Sequence, residues 1–238
     1  AEHGNAGLGN RRLRGADLTH GDATTIRRIF DEDNAAVLER WRPRIADLCF
    51  TFSVTCAGEA DGFNLHETVN TADGALIGSL FNEDRTVLAD DRPAAHEAAA
   101  GIAKALAEAG YFGPACVDAF VWDDDGTPRL RLLADLNARR EMSAGASRLW
   151  RRLGGRGAAY WRFYTRRKIE LPDSYEAFDE ALGDDAYEPS RRQGVLATAP
   201  LWLGPERRPP AKAALLFLAG DRDRALSLDR RFRERFER

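Results

Sequence analysis

Apolar and polar residues alternate with period two from Asp47 to Thr55, placing Phe50, Phe52 and Val54 on one face, so this segment is predicted to be a strand. Phe63 to Asn70 and Ala75 to Phe81 flank the turn-forming residues Ala72, Asp73 and Gly74, which predicts a hairpin. A second hairpin is expected from Ala115 to Trp122 and Arg129 to Asn137, joined by the acidic turn Asp123, Asp124, Asp125 and Gly126, since Asp-Gly favours tight reversals. Helical spacing marks Thr24 to Glu32, the alanine-rich Pro93 to Ala109 closed by Gly110, and Arg222 to Phe236, with Phe232 and Phe236 on one face. Ser147 to Lys168 is read as a helix interrupted at Gly154 and Gly155. Ala35 to Trp41, Gly194 to Leu203 and Ala211 to Ala219 are read as further strands, and the first fourteen residues as a glycine-punctuated loop. Strands and helices mix without regular βαβ alternation, so the expected fold class is α+β.

Composition narrows the function classes. With 238 residues, 44% hydrophobic and 31% charged, the chain can bury a core, and no apolar run approaches the roughly 18 residues of a membrane span. A net charge of -3 argues against a chain basic overall for nucleic acid or anionic membrane. Cys49, Cys56 and Cys116 form no CxxC pair, and no secretory segment opens the chain, which fits a reducing cytoplasm. The histidines His3, His20, His66 and His96 lack zinc-ligand spacing and are read as structural, and Cys116 as a packed strand residue. Met142 is the only methionine and Ala1 the first residue, so a fragment is expected. Only Lys104, Lys168 and Lys212 among 35 basic residues are lysines.

Three features could carry chemistry. Gly4, Gly7 and Gly9 could let backbone N–H groups close over phosphates, but Arg12 stands where a dinucleotide fingerprint needs glycine, and Asn10 and Arg11 where a P-loop needs Lys and Ser or Thr, so alone the loop is read as an ordinary turn. Asp135 and Asn137, two apart on a strand, point the same way, and a turn centred between Asp125 and Gly126 puts Asp118 opposite Leu133 on that face. Two carboxylates about 5 Å apart repel by roughly 3 kcal/mol at an effective dielectric of about 20, and with an amide oxygen they form a hard donor set suited to magnesium. Arg139 to Lys168 carries nine arginines and one lysine against Glu141, with Trp150, Tyr160, Trp161, Phe163 and Tyr164 interleaved. That stretch is read as an arginine-rich solvated helix face, with an acidic-substrate cradle or nucleic-acid surface as alternatives.

GYFGPACVDAF (Gly110 to Phe120), the acidic turn and RLLADLNARREM (Arg131 to Met142) resemble the C-terminal signature of the ATP-grasp superfamily, which includes carboxylate–amine ligases. The resemblance implies that Asp118, Asp135 and Asn137 hold the Mg2+ of ATP, with aspartate where glutamate is usual, and that Arg139 contacts the transferred phosphate. AVLERWRPRIADLCF is similar to the hinge strand of that superfamily. By this likeness Glu39 and the backbone of Arg40, Trp41 and Arg42 hold the adenine edge, Asp47 takes the ribose-binding place, and the Gly4, Gly7 and Gly9 loop is the lid over the triphosphate. The implied architecture is a mixed or antiparallel sheet with flanking helices: a partial lid subdomain over 1–35, an ATP- and Mg2+-binding subdomain over 36–145, and a family-specific extension over 146–238.

The implied activity joins small-molecule carboxylate and amine substrates through an acyl phosphate, with no membrane partner, nucleic acid not expected and a homo-oligomer compatible. The N-terminal subdomain and two phosphate-binding lysines usual in the superfamily would precede Ala1, so the chain alone is expected to be inactive. The competing reading is a degenerate, non-catalytic nucleotide- or nucleic-acid-binding module.

Overall fold

The computed structural model describes residues 19–33, 40, 42–71, 74–82 and 92–238. The opening loop with Gly4, Gly7 and Gly9, nearly all of the expected 35–41 strand with Glu39 and Trp41, and turn residues Ala72 and Asp73 lie outside the described residues. In chain order the elements are α1 (His20–Asp33), β1 (Arg44–Val54), β2 (Ala60–Asn70), β3 (Leu76–Asn82), α2 (Arg92–Glu108), β4 (Gly113–Asp124), β5 (Thr127–Asn137), α3 (Ala144–Arg152), β6 (Ala158–Thr165), α4 (Tyr175–Leu182), β7 (Gly194–Ala197), β8 (Lys212–Ala219) and α5 (Arg222–Phe236). The strands form one eight-stranded antiparallel sheet in the order β5-β4-β1-β2-β3-β6-β8-β7, and the fold is α+β. β6, β8 and β7 extend the sheet that the two hairpins begin.

Helices cover the two faces unequally. On one face α2 packs Ala95, Ala99 and Ala103 against Leu48, Phe50, Phe52, Val54, Val117 and Ala119. Small alanines let this helix lie close to the strands. The same face continues under α4 and α5, where Phe178, Leu182, Phe232 and Phe236 meet Tyr160, Tyr164, Leu215 and Phe217. Asp229 of α5 is buried there and accepts hydrogen bonds from Arg162 (2.9 Å), Arg233 (3.2 Å) and the Tyr164 hydroxyl. On the opposite face α3 places Ala146 and Trp150 over Phe81, Ala159, Trp161, Leu216 and Leu218. Among the described residues, no helix packs over the β5, β4, β1 and β2 part of that second face. No described helix is long and apolar enough to cross a membrane.

The expected helix from Ser147 to Lys168 is corrected. Only α3 is α-helical, and Ala158–Thr165 is the inner strand β6. Its aromatic residues suit a strand buried on both sides, with Tyr160, Arg162 and Tyr164 facing α5 and Trp161 and Phe163 on the other face. Trp150, Tyr160, Trp161 and Tyr164 are core residues, and Arg162 is tied to Asp229, so this stretch is not one solvated helix face. The reversal before β6 uses Gly154, Gly155 and Gly157, all at positive φ. At Gly157 a Cβ would stand 2.3 Å from the Ala219 carbonyl oxygen, so strand β8 leaves room for no side chain. The strand expected over Gly194 to Leu203 stops at Ala197, and α4, capped by Ser174 accepting from the Ala177 N–H, was not expected.

The second hairpin also departs from the simple register. Phe120 pairs with Arg131 as a two-residue turn requires, but Asp118 pairs with Asp135 and not with Leu133. Leu132, Leu133 and Ala134 oppose the single Ala119, a bulge that adds two residues to β5, and the Arg131 Nε donates to the Leu133 carbonyl at 3.1 Å across it. A shift of two preserves side-chain parity, so Asp118 and Asp135 still share a face and now stand directly opposite.

Gly157→Ala is expected to destabilise the protein by at least about 1–3 kcal/mol from the positive φ alone, with the carbonyl clash added. Gly145→Ala, on α3 with open space at its Cβ position, should be neutral or mildly stabilising. Urea unfolding of both variants measures the contrast.

Candidate functional site

The part of the second face over which no described helix packs carries two polar rows that follow from strand pairing. Asp135 pairs with Asp118, Asp118 with Cys49, and Cys49 with His66. Next to it, Asn137 pairs with Cys116, Cys116 with Thr51, and Thr51 with Asn64. Polar groups are ordinary on a solvated face of an antiparallel sheet, but here Asn64 and His66 are buried together with the thiols of Cys49 and Cys116, and buried amide and imidazole groups need partners.

At the β4–β5 end, the Asn137 Nδ2 donates to Asp135 at 2.9 Å. Asp118 is the perturbed acid: loss of hydration, then the charges of Asp135 and Glu141, push its carboxyl from 3.8 up to about 6, while the Cys49 thiol and the Arg139 charge oppose the shift. The side chain is exposed, so the like charges weigh more here than desolvation. Arg139 follows β5 on an exposed segment, its backbone N–H bonded to the Asn137 carbonyl at 2.8 Å. A facing acid pair with an amide oxygen alongside is a donor set that a hard cation would relieve, so Asp118, Asp135 and Asn137 fit magnesium.

The structure brings further residues together here that sequence reasoning left apart. Glu141, in the turn between β5 and α3, meets the His66 Nε2 at 3.0 Å and accepts from the Ser143 hydroxyl. Burial would raise the Glu141 carboxyl, but His66 and Ser143 override it and hold it below the ordinary carboxylate value. Asn64 Nδ2 lies 3.3 Å from the His66 Nδ1. Cys49 is buried, and its hydrogen bond with Cys116, its burial and the nearby Glu141 and Asp118 charges push its thiol well above the usual range. In the sequence Asn64 and His66 alternate with Phe63 and Leu65 as on any half-exposed strand, so the local pattern gives no sign that they meet Glu141.

Toward the hairpin turn, on the same face, Arg40, Arg42, Phe120, Trp122 and Arg131 line a pocket of about 300 Å³. Arg42 lies over Trp122 at 5.7 Å, and Arg44 and Arg131 over Phe120 at 4.5 and 5.9 Å. Asp47 pairs with Phe120 across the strands and is held by Arg44 at 2.5 Å. Of the residues expected to hold a nucleotide, Arg40, Arg42 and Asp47 are thus gathered at one end of the face and Asp118, Asp135, Asn137 and Arg139 at the other. Gly4, Gly7, Gly9, Glu39 and Trp41 lie outside the described residues.

No protein-family model and no curated protein matches the sequence. Solved structures do match the fold. Pyruvate carboxylase from Rhizobium etli superposes with a TM-score of 0.61 at 12% identity, over 98% of this chain and 23% of that one. The biotin carboxylase domain of 2-oxoglutarate carboxylase from Hydrogenobacter thermophilus, solved with MgADP, ADP and bicarbonate, gives 0.57 at 12% identity over 100% of this chain and 56% of that one. N5-carboxyaminoimidazole ribonucleotide synthetase from Thermus thermophilus gives 0.54 at 13% identity, over 90% and 57%. This chain therefore has the fold of the ATP-grasp superfamily, and spans less than two thirds of each of these structures.

A carboxyl whose value is raised on folding lowers stability where it is ionised, fully above about pH 6, and ceases to do so below about pH 4. Without magnesium, Asp118→Asn should therefore raise the melting temperature at pH 8, and the gain should fade as pH drops from 6 to 4. Thermal melts across that range read the sign directly.

Proposed function

We propose that this chain is the nucleotide-holding part of an ATP-dependent ligase that activates a carboxylate as an acyl phosphate for attack by an amine. The observation that carries the reading is the facing pair Asp118 and Asp135, beside Asn137, on the part of the sheet over which no described helix packs. The ATP-grasp fold and the MgADP held by the 2-oxoglutarate carboxylase domain support it.

In this reading Asp118, Asp135 and Asn137 hold Mg2+, which supplies charge neutralisation to phosphate oxygens when bound. The pocket of Arg40, Arg42, Phe120, Trp122 and Arg131 takes the base and ribose end, with Phe120 and Trp122 as an aromatic wall and Asp47 within the same row. Glu39 and Trp41 complete the hinge, and Gly4, Gly7 and Gly9 close over the phosphates. Arg139 steadies the phosphoryl group as it passes from ATP to a carboxylate oxygen, with ADP leaving. The amine then attacks the acyl carbon, phosphate departs, and the amine's proton goes to solvent.

The chain should bind ATP with a magnesium dependence visible by calorimetry, and Asp118→Asn and Asn137→Ala should each weaken that binding at least tenfold while circular dichroism stays native. Binding indifferent to magnesium and to both substitutions would remove the assignment. Binding that responds to both, without phosphate release from a longer chain given carboxylates and amines, would favour a binding module.

A further inference from the structure

We propose that Cys49, His66 and Glu141 form a second, chemically distinct metal site that takes zinc. The Cys49 Sγ, a ring nitrogen of His66 and a Glu141 carboxylate oxygen all lie within 4.8 Å of one another, and the His66 Nε2 is 3.0 Å from Glu141. Bond lengths of about 2.0 Å to nitrogen and oxygen and 2.3 Å to sulfur set tetrahedral ligand atoms roughly 3.3–3.5 Å apart. Side-chain adjustments of an ångström or so therefore suffice to gather the three.

The donor types decide the ion. Magnesium and calcium take oxygen ligands, whereas thiolate with imidazole and one carboxylate suits a borderline-soft cation of the zinc class. The set is also prepared. Cys49 and His66 are paired across β1 and β2, are 1% and 2% exposed, and have little freedom to point elsewhere. Asn64 occupies the Nδ1 side of His66, which turns Nε2 toward Glu141. As the structure stands the Asn64 Nδ2 faces Nδ1 and Nε2 carries the proton shared with Glu141; when metal binds, the Asn64 amide turns so that its oxygen accepts from Nδ1–H, the outer support that ligating histidines usually have. Asp118, directly opposite Cys49, adds negative charge that draws a dication.

On binding, the Cys49 S–H bond breaks, its electron pair goes to zinc and its proton to solvent. The His66 proton shifts from Nε2 to Nδ1, and the His66–Glu141 hydrogen bond is exchanged for two metal bonds. Three protein ligands leave a fourth position for water or another oxygen donor, the arrangement of zinc sites that do chemistry. The inference stands on these three side chains and does not depend on the nucleotide reading.

Cobalt(II) titrated into the metal-free chain reports the site. One equivalent should produce the visible bands of a tetrahedral ion and the near-ultraviolet thiolate-to-cobalt band, both displaced by one equivalent of zinc. Cys49→Ala should abolish the thiolate band, and His66→Gln and Glu141→Gln should each weaken cobalt binding at least tenfold. Asp135→Asn, in the oxygen-donor set, should leave the spectrum in place. Absence of the bands, their loss in Asp135→Asn, or a thiolate band that persists in Cys49→Ala and so comes from Cys56 or Cys116, would each overturn the proposal. If Cys49→Ala fails to fold, unchanged binding by His66→Gln and Glu141→Gln overturns it equally.

Discussion

Two aspartates stand face to face across neighbouring strands because backbone hydrogen bonding between β4 and β5 puts them there. The ladder fixes their backbones opposite each other, and each makes the other's charge harder to bear. The strain appears in the raised Asp118 carboxyl. Cys49 and His66 continue the same row through β1 and β2, so one pairing pattern sets the spacing of these groups on the part of the face over which no described helix packs. A slip of one residue in any pair would turn part of the row into the core under α2.

That arrangement is tolerable because the helices are distributed unevenly. α2, α4 and α5 cover one face from end to end, so the sheet owes its stability to that side. α3 covers only the β3, β6 and β8 part of the other. The polar rows begin where its cover ends, and Glu141 and Ser143, in the turn leading into α3, sit at the boundary.

Local signals were legible in the sequence and distant ones were not. Asp-Gly at the second hairpin, the alanine stripe of α2 and the span of α5 depend on neighbours a few positions away, and the structure has them as read. β6 reads as helix because its arginines, with the rest of the 139–168 stretch, look like one solvated helix face; Arg162 is interior. Its partner, Asp229, is 67 positions away, and nothing nearby indicates that the arginine is interior. The same limit hid Glu141 from His66, 75 positions apart. Asp118, Asp135 and Asn137 could be read as one set because all three lie on one hairpin, although the bulge that aligns the acids leaves no mark in composition. Leu132, Leu133 and Ala134 read as ordinary strand residues.

The bulge has a consequence at the rim of the sheet. Among the described residues β5 is an outermost strand, with Leu133 and Leu136 exposed. A long, flat, apolar margin would be a template on which another chain can add a strand. The two extra residues break the regular spacing of the β5 backbone groups midway, and Arg129, Arg131 and Asp135 put charge along the same strand. At the opposite margin β7 has only four residues, too short to offer much of a template. The irregularity that aligns two acids therefore also makes β5 a poor template for a further strand.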